Sequence, residues 1–322
     1  MAITKNTQTP AQLEAIVAEA FPGLTLTSAR ELTEGMCNAA YRLTLSDGRE
    51  VILKIAPAGG AGLLRNEIRM MSAEVEAMGL VRRHGAARVA EVYRHDDSCR
   101  VCSSEYFLME ALPGQSLFAL RDGLPQEQLA LLHREIGQLS QRVGSIRGEA
   151  FGMLGDREHR FARLFDFFAY LLGNVLSDAG AKQVDTAVPA GTLLRALQQD
   201  APCFDEVTTP SLIHWDMWEG NIFVQDGHVS GIIDWERAMW AEPFLDDRFR
   251  RHTRSAAFLE GFGQTGFTPA EVRRILWYDV FLYLTMMTEP VYRQYPDDSQ
   301  YRWTRPLMEA SWAALQSDTP SL

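Results

Sequence analysis

Cysteine is scarce in this sequence, and the few that occur form no framework. Only 4 of the 322 residues are cysteine, which excludes a small disulfide-rich secreted domain. Cys99 and Cys102 form a C-x-x-C pair, but no second cysteine or histidine pair stands nearby. We therefore interpret the pair as part of a turn that enters a strand, rather than as a zinc or redox site. Unpaired thiols fit a reducing compartment, and we expect the protein to be cytoplasmic.

Long hydrophobic runs and an excess of positive charge are also absent. No apolar stretch approaches the roughly 20 residues that a transmembrane helix needs, and the first residues, "MAITKNTQTPAQLEAIV", lack the apolar core of a signal peptide. The formal net charge is −11 and the pI is about 5.2. This acidic balance argues against a nucleic-acid or anionic-membrane surface. We predict neither a nucleic-acid partner nor a membrane partner.

The apolar pattern divides the chain into a strand-rich first part and a helix-rich second part. The first part contains the strand-like pieces "LTLTSAREL", "AAYRLTLS" and "EVILKIA", and Asp47–Gly48 predicts a hairpin between the last two. A long helix is predicted over residues 62–84, ending at Gly85, and the strands "VAEVYRH" and "EYFLMEAL" follow it. From about residue 125, most of the chain has helical spacing.

This order predicts an α+β protein with two lobes, an antiparallel sheet with one long helix followed by a larger, mainly helical part. The expected divisions are an N-terminal lobe over residues 1–110, a hinge over residues 111–115 and a helical C-terminal lobe over residues 116–322.

One polar segment, "LIHWDMWEGNIFVQDGHVSGIIDWERA", interrupts the helical part. Carboxylate and amide side chains in an apolar frame cost desolvation energy unless a cation lies among them. His214, Asp216 and Asn221 have the spacing H-x-D-x-x-x-x-N of the kinase catalytic loop. In that loop the aspartate takes the proton of the acceptor hydroxyl, and the asparagine holds Mg²⁺.

A second metal ligand is predicted at the end of the strand-like "VSGIID". Asp226–Gly227 predicts a hairpin turn, which would return the chain so that Asn221 and Asp234 face one ion. An amide and a carboxylate are hard oxygen ligands, which suit Mg²⁺ better than zinc.

A lysine stands inside the apolar strand "VILKIA". Lys54 is unfavourable there unless its amine meets an anion, and in kinases this strand lysine pairs with nucleotide phosphates and a helix glutamate. Glu67, Glu74 and Glu76 are the candidate partners on the predicted helix. We choose Glu74, and the other two stay open as alternatives.

Two further segments are candidates for nucleotide contact. The turn in "ELTEGMCNAAYRL", with Gly35 and Asn38, is placed to cover the phosphates, although it lacks G-x-G-x-x-G and is equally compatible with a plain hairpin turn. "YFLMEALPG" is the candidate hinge, where the backbone of Glu110, Ala111 and Leu112 would meet an adenine. The alternative is a hinge without nucleotide contact.

These motifs resemble the aminoglycoside phosphotransferase family of small-molecule kinases, which have a protein-kinase-like fold. The resemblance rests on "VILKIA", "YFLMEALPG", "LIHWDMWEGNIFV" and "GIIDWERAMWAEPFLDDRF", and it covers most of residues 30 to 250. It implies a bilobal protein-kinase-like fold in which the N-terminal lobe, residues 1–110, binds the nucleotide. It also implies transfer of a phosphoryl group from ATP or GTP to a small hydroxyl-bearing substrate, with Mg²⁺ as cofactor. The roles that it implies are catalytic base for Asp216, magnesium ligands for Asn221 and Asp234, phosphate contact for Lys54, and structural support for His214 and for Asp246 on the helix after "EP".

The sequence departs from the family pattern in places that affect the substrate. Trp215 stands where H-G-D is common, Leu139–Ser140 replaces a Leu-His pair, and "AEP" replaces "GDP". The acceptor is therefore open: an aminoglycoside-like or other antibiotic is one candidate, and an amino alcohol, sugar or nucleoside metabolite is the alternative. A catalytically silent kinase-like binding module is less favoured, because Lys54 and the catalytic-segment residues are all present. A protein kinase is also less favoured, because "DFG" and "APE" are missing.

Overall fold

The first strands of the chain pair into one antiparallel sheet. The computed structural model describes residues 5–33, 35, 37–317 and 322, and in it five strands follow the order β1-β2-β3-β5-β4. The strands are β1 (Leu26–Leu32), β2 (Ala39–Leu45), β3 (Glu50–Ile55), β4 (Val92–Asp96) and β5 (Tyr106–Glu110). Residues 51–55 of β3 are all buried, because β3 is the middle strand and both of its faces are covered. Lys54 therefore lies in the most enclosed strand of the sheet.

Two helices cover the two faces of this sheet. Helix α1 (Pro10–Ala20) begins with a capping box between Thr9 and Gln12 and has proline in its first turn, as the sequence predicts. Its buried residues pack with one face of the sheet. Helix α2 (Met70–His84) packs with the other face and with the second part of the chain. It ends at Gly85 in the left-handed conformation, with φ 60°.

The prediction of a helix over residues 62–84 is wrong at its beginning. Helix α2 begins only at Met70, and residues 61–69 form a loop. Gly59, Gly60 and Gly62 have φ values between 60° and 73°, a backbone region that glycine adopts easily and that interrupts a helix. The apolar spacing of "LLRNEIRM" is helical, but its side chains are held by contacts to distant residues, which are described below.

The second part of the chain is mainly helical, with two small sheets. Its helices are α3 (Leu117–Leu120), α4 (Gln126–Gly144), α5 (Leu164–Ala181), α6 (Ala190–Gln199), α7 (Ala256–Phe262), α8 (Pro269–Arg293) and α9 (Ser299–Leu315). Its strands are β6 (Gln115–Ser116), β7 (Gly152–Met153), β8 (Ser211–Ile213), β9 (Ile222–Gln225), β10 (His228–Ile232) and β11 (Met239–Ala241). They pair in the orders β10-β9-β6 and β7-β11-β8. The α+β class is confirmed. Within the described residues, no helix is both long and apolar enough to cross a membrane.

The small sheets fix the polar segment in place. Strand β8 leads into it, and β9 and β10 form the predicted hairpin with its turn at Asp226–Gly227. Where the hairpin closes, the Ile233 N–H donates to the Asn221 carbonyl at 3.0 Å. Residues that are distant along the chain, Asn221 and Asp234, are thereby brought to the same end of the hairpin.

The same sheet also anchors the segment that follows the proposed hinge. Strand β6 pairs with β9, and Gly114 packs so closely on this pair that a Cβ atom there would lie 2.2 Å from the Val224 carbonyl oxygen. Gly114 also has φ 98°, so this close crossing requires glycine. The division of the chain into lobes at residues 111–115 stays a prediction.

Candidate active site

A rigid frame of buried groups carries the start of the polar segment. The His214 ring is buried, and its Nε2–H donates to the Ile233 carbonyl at 2.8 Å. Burial lowers the pKa of His214, which keeps the ring neutral. The Asp246 carboxylate accepts from the backbone N–H groups of His214 at 3.2 Å and Trp215 at 3.0 Å. His214 and Asp246 thus hold the backbone that presents Asp216.

Asp246 does not lie on a helix, contrary to the prediction from the sequence. Its backbone is extended, and it lies between two short 3₁₀ turns, Pro243–Leu245 and Asp247–Phe249. The extended backbone allows the Asp246 carboxylate to reach the backbone N–H groups of His214 and Trp215, at the start of the polar segment.

Asp216 lies half-buried among other carboxylates. Burial raises the pKa of Asp216 to about 8, against the opposing effect of the Arg237 guanidinium, and the nearby carboxylates of Asp234, Asp247 and Glu289 add to the increase. Its backbone carbonyl accepts a hydrogen bond from Asn221 Nδ2 at 2.9 Å. The Asp216 carboxylate takes no part in this hydrogen bond.

The residues predicted as metal ligands offer oxygen atoms that fit Mg²⁺. Because Asn221 Nδ2 is bonded to the Asp216 carbonyl, the amide presents its Oδ1 in the other direction. Asp234 adopts φ 66°, and its Oδ1 accepts from Lys54 Nζ at 2.6 Å, which leaves Oδ2 as the oxygen for a metal. An amide oxygen and a carboxylate oxygen are suitable Mg²⁺ ligands.

Lys54 lies at the centre of a carboxylate cluster. Its Nζ is 2.5 Å from Glu74 Oε2, 2.6 Å from Asp234 Oδ1 and 3.8 Å from Glu236 Oε2. Burial by itself would lower the pKa of Lys54, but the attraction of these carboxylates outweighs it and raises the pKa well above the usual value. The amine is therefore a charged ammonium.

Of the candidate glutamates, Glu74 is the one in contact with Lys54. Glu74 is completely buried, whereas the side chain of Glu76 is 41% exposed and lies 3.7 Å from Arg157. Glu67 precedes the helix and binds arginines instead. Met71, Glu74 and Met78 are buried on one side of α2, and this side brings the Glu74 carboxylate to Lys54.

We expect Glu74→Gln to lower the free energy of unfolding by about 1–3 kcal/mol, because the buried ammonium loses one of its two close carboxylates. Phosphotransfer activity should fall as well, since the amine is then free to reorient. Urea unfolding and an assay of ADP release measure the two effects. Glu76→Gln, on the same helix, is the matched control and should change stability by less than about 0.5 kcal/mol. Equal effects of the two substitutions would contradict the assignment.

The loop between β1 and β2 reaches the same cluster. Asn38 is buried, and its Nδ2 donates to Glu236 Oε2 at 2.5 Å, while Lys5 Nζ donates to the Asn38 carbonyl at 2.9 Å. Gly35 is exposed, and its neighbours Glu34 and Met36 lie outside the described residues. The contact of this loop with phosphates stays a prediction. Sequence reasoning missed Glu236, although its position two residues after Asp234 placed it near the metal ligands.

A quartet of buried charges lies beside the cluster, and it was also missed. Arg237 Nη2 is 2.6 Å from Glu67 Oε1 and 2.5 Å from Glu289 Oε1. Arg293 completes the quartet by binding Glu67 and lying 3.5 Å from Glu289. The Arg237 guanidinium also lies 5.0 Å from the centre of the Trp215 ring. Its partners come from loop 61–69 and α8, so no local pattern in the sequence indicates them.

The residues predicted to meet the adenine lie at the end of β5 and directly after it. Glu110 pairs with Val51, and its carboxylate binds the Arg88 side chain. Ala111 is partly buried, and Leu112 is buried in the main hydrophobic core. These residues lie where the large sheet meets the β9–β10 hairpin. Contact between their backbone and an adenine stays a prediction.

The antiparallel sheet with its buried lysine, the helical part and the polar segment that interrupts it give the chain a kinase-like arrangement. The sequence model of the phosphotransferase enzyme family (APH) matches residues 28–273, a span that contains Lys54, Asp216, Asn221 and Asp234. The chain belongs to this family and is a phosphotransferase.

Solved structures with low sequence identity share the fold over nearly the whole chain. A putative fructosamine-3-kinase from Haemophilus somnus 129PT has a TM-score of 0.67 at 17% identity, covering 93% of this chain and 96% of that one. The aminoglycoside phosphotransferase APH(4)-Ia has a TM-score of 0.65 at 17% identity, covering 96% and 100%. A thermostable mutant of APH(4)-Ia, in a ternary complex with ADP and hygromycin B, has a TM-score of 0.64 at 16% identity and the same coverage. No match was found among curated proteins.

Proposed function

We propose that this protein transfers the γ-phosphoryl group of ATP or GTP to a hydroxyl group of a small molecule. The observation that supports this proposal is a continuous line of contacts from Lys54 to Asp216. Lys54 Nζ lies 2.6 Å from Asp234, the β9–β10 hairpin joins Asp234 to Asn221, and Asn221 holds the carbonyl of Asp216 at 2.9 Å. Phosphoryl transfer requires a cation on the phosphates, ligands for a metal ion and a base for the acceptor hydroxyl.

Each of these residues has a distinct task in the proposed reaction. Lys54 binds the nucleotide phosphates, and Glu74 keeps the ammonium in position. Asn221 and Asp234 hold Mg²⁺, which when bound neutralises negative charge on the phosphates. Asp216, in its ionised form, orients the acceptor hydroxyl and accepts its proton, while His214 and Asp246 fix the backbone around it.

The remaining predicted contacts concern the nucleotide. The backbone of Glu110, Ala111 and Leu112 is proposed to meet the base, and the loop with Gly35 and Asn38 is proposed to cover the phosphates. The ternary complex of the APH(4)-Ia mutant supports a nucleotide and a small molecule bound together in this fold.

The acceptor classes that fit this activity are aminoglycoside-like antibiotics and metabolites with an amino-alcohol, sugar or nucleoside hydroxyl. The second candidate function, a silent binding module with the kinase fold, is disfavoured because Lys54, Asp216, Asn221 and Asp234 are all present and are joined by the contacts given above.

A screen for ADP release with ATP, Mg²⁺ and a panel of hydroxyl compounds tests the function. The panel includes hygromycin B, free sugars, amino alcohols and nucleosides, and a sample without acceptor measures background hydrolysis. We expect at least one acceptor to give ADP above background and a phosphate monoester in the ³¹P NMR spectrum. An adenylylated product would contradict phosphoryl transfer.

A further inference from the structure

A cavity of about 40 Å³ lies beside the catalytic segment. Its roof is the loop of residues 63–69, which we call the strap, and its walls come from α5, α8 and the segment after Asp234. Trp215, the residue directly before Asp216, forms part of the wall. Glu236, another lining residue, has a carboxylate oxygen 3.8 Å from Lys54 Nζ. The cavity therefore borders both the Lys54 cluster and the residue that precedes the proposed base.

The strap is fixed to the helical part of the chain, although it follows β3 in sequence. The Arg65 N–H donates to Asp178 Oδ2 at 2.8 Å. The Asn66 side chain donates to the Leu171 carbonyl at 3.0 Å and accepts from Asn174 Nδ2 at 2.8 Å. These contacts with α5 hold the strap in place over the cavity.

The polar side chains that line the cavity already have partners in the protein. Glu67, Arg237 and Asp178 are in ion pairs, Glu236 accepts from Asn38, and the hydroxyl of Thr285 donates to the Phe281 carbonyl; Asn66 is bonded on both sides, as described above. A polar occupant would find few free partners here, and an unpaired buried polar group is unfavourable.

The rest of the cavity surface is apolar. Its main contributors are Met153, Leu171, Val175, Trp215, Met239 and Phe281. An apolar occupant gains free energy by leaving water for such a surface. A cavity of this volume has room for roughly three carbon atoms.

Trp215 occupies its position under backbone strain. Its φ is 73°, in the left-handed region that large side chains rarely adopt, and the family commonly has glycine at this place. The conformation is held by Asp246, which accepts from the Trp215 N–H at 3.0 Å, and by the Asp247 N–H, which donates to the Trp215 carbonyl at 3.0 Å. The indole is buried and packs on Phe281, with ring centres 5.9 Å apart. It fills space that glycine would leave open and gives the cavity an apolar wall.

We propose that this cavity is an acceptor subsite for a compact apolar group of roughly three carbon atoms, and that Trp215 determines this specificity. The inference rests on the phosphotransfer proposed above, because it places the group next to the hydroxyl that meets Asp216. Acceptors with an alkyl group beside the reacting hydroxyl fit the subsite. An acceptor with hydroxyl groups on every neighbouring carbon has no apolar group to place there.

Binding can be measured without catalysis, with 1-butanol as the probe. In protein labelled with ¹³C at the methionine methyl groups, titration should shift the signals of Met153 and Met239, which line the cavity. The signal of Met308, buried in α9, should stay unchanged. No shift at Met153 and Met239, or an equal shift at Met308, would overturn the subsite.

Substitutions in the wall test which residues define it. Val175→Thr places a hydroxyl in the wall at nearly constant volume and should weaken 1-butanol binding by about tenfold. Val291→Thr, at a half-exposed position of α8 outside the cavity, is the matched control and should have no effect. Trp215→Gly suits the positive φ and should weaken binding at least as strongly as Val175→Thr. Unchanged affinity in both cavity variants would contradict the assignment.

A catalytic series separates this inference from the proposed function. With ethanol, 1-propanol and 1-butanol as acceptors, kcat/KM for phosphoryl transfer should rise about fourfold per methylene group, and Val175→Thr should reduce this slope without changing the KM of ATP. Methionine shifts without transfer to these alcohols or to any compound of the panel would contradict the proposed function alone. Transfer that shows neither methionine shifts nor dependence on chain length would overturn the subsite alone.

Discussion

Asp216→Asn is expected to lower kcat by about 10²–10⁴-fold, the usual effect of removing a general base. The amide cannot take the proton of the acceptor hydroxyl, but it has nearly the same size as the carboxylate. The backbone frame should persist, because Asp246 binds the N–H groups of His214 and Trp215 and Asn221 binds the carbonyl of Asp216 rather than its side chain. ADP release measures the rate, and titration calorimetry with the magnesium complex of AMP-PNP should show unchanged nucleotide affinity.

Asp122→Asn is a suitable control for this substitution. The Asp122 side chain is 95% exposed, and it lies in the turn after α3, so the same chemical change should leave kcat within experimental error. If Asp216→Asn keeps most of the activity, another group must accept the proton. If it abolishes nucleotide binding, Asp216 has a structural role instead.

Asp234→Ala is expected to lower kcat/KM by about 10³-fold, because a metal clamp on the phosphates contributes several kcal/mol. Asp216→Asn should lower kcat without changing nucleotide affinity, whereas Asp234→Ala should weaken nucleotide binding. Lys54 keeps its 2.5 Å contact with Glu74, so the charged ammonium remains paired and the fold should survive. Calorimetry with AMP-PNP, in the presence and absence of Mg²⁺, measures the effect directly.

The wild-type protein should bind AMP-PNP more tightly with Mg²⁺ than without it, and this difference should disappear in Asp234→Ala. The Asp216→Asn protein serves as the comparison, because it should retain the Mg²⁺ dependence. A variant at Asp234 that binds the magnesium complex normally would contradict its role as a ligand.

The sequence by itself determined the fold class and the candidates for the core of the site. Alternating and helical apolar patterns depend on local geometry, and they indicated the strands of the large sheet, the hairpin turns at Asp47–Gly48 and Asp226–Gly227, and the long helices. The spacing of His214, Asp216 and Asn221 was visible because all three lie within one short segment. Lys54 could be selected from the sequence because a charged side chain in a buried strand is unfavourable unless it meets an opposite charge.

The tertiary structure alone decided which distant side chains meet these residues. Glu67 was a candidate partner of Lys54 on the assumption of a helix over residues 62–84. Helix α2 begins only at Met70, and Glu67, which lies in the strap that is bonded to α5, binds Arg237 and Arg293 instead. The contact between Asn38 and Glu236 joins residues 198 positions apart. No periodicity or local spacing encodes such pairs, because burial and charge compensation select them only after the sheet and the helical part have packed together.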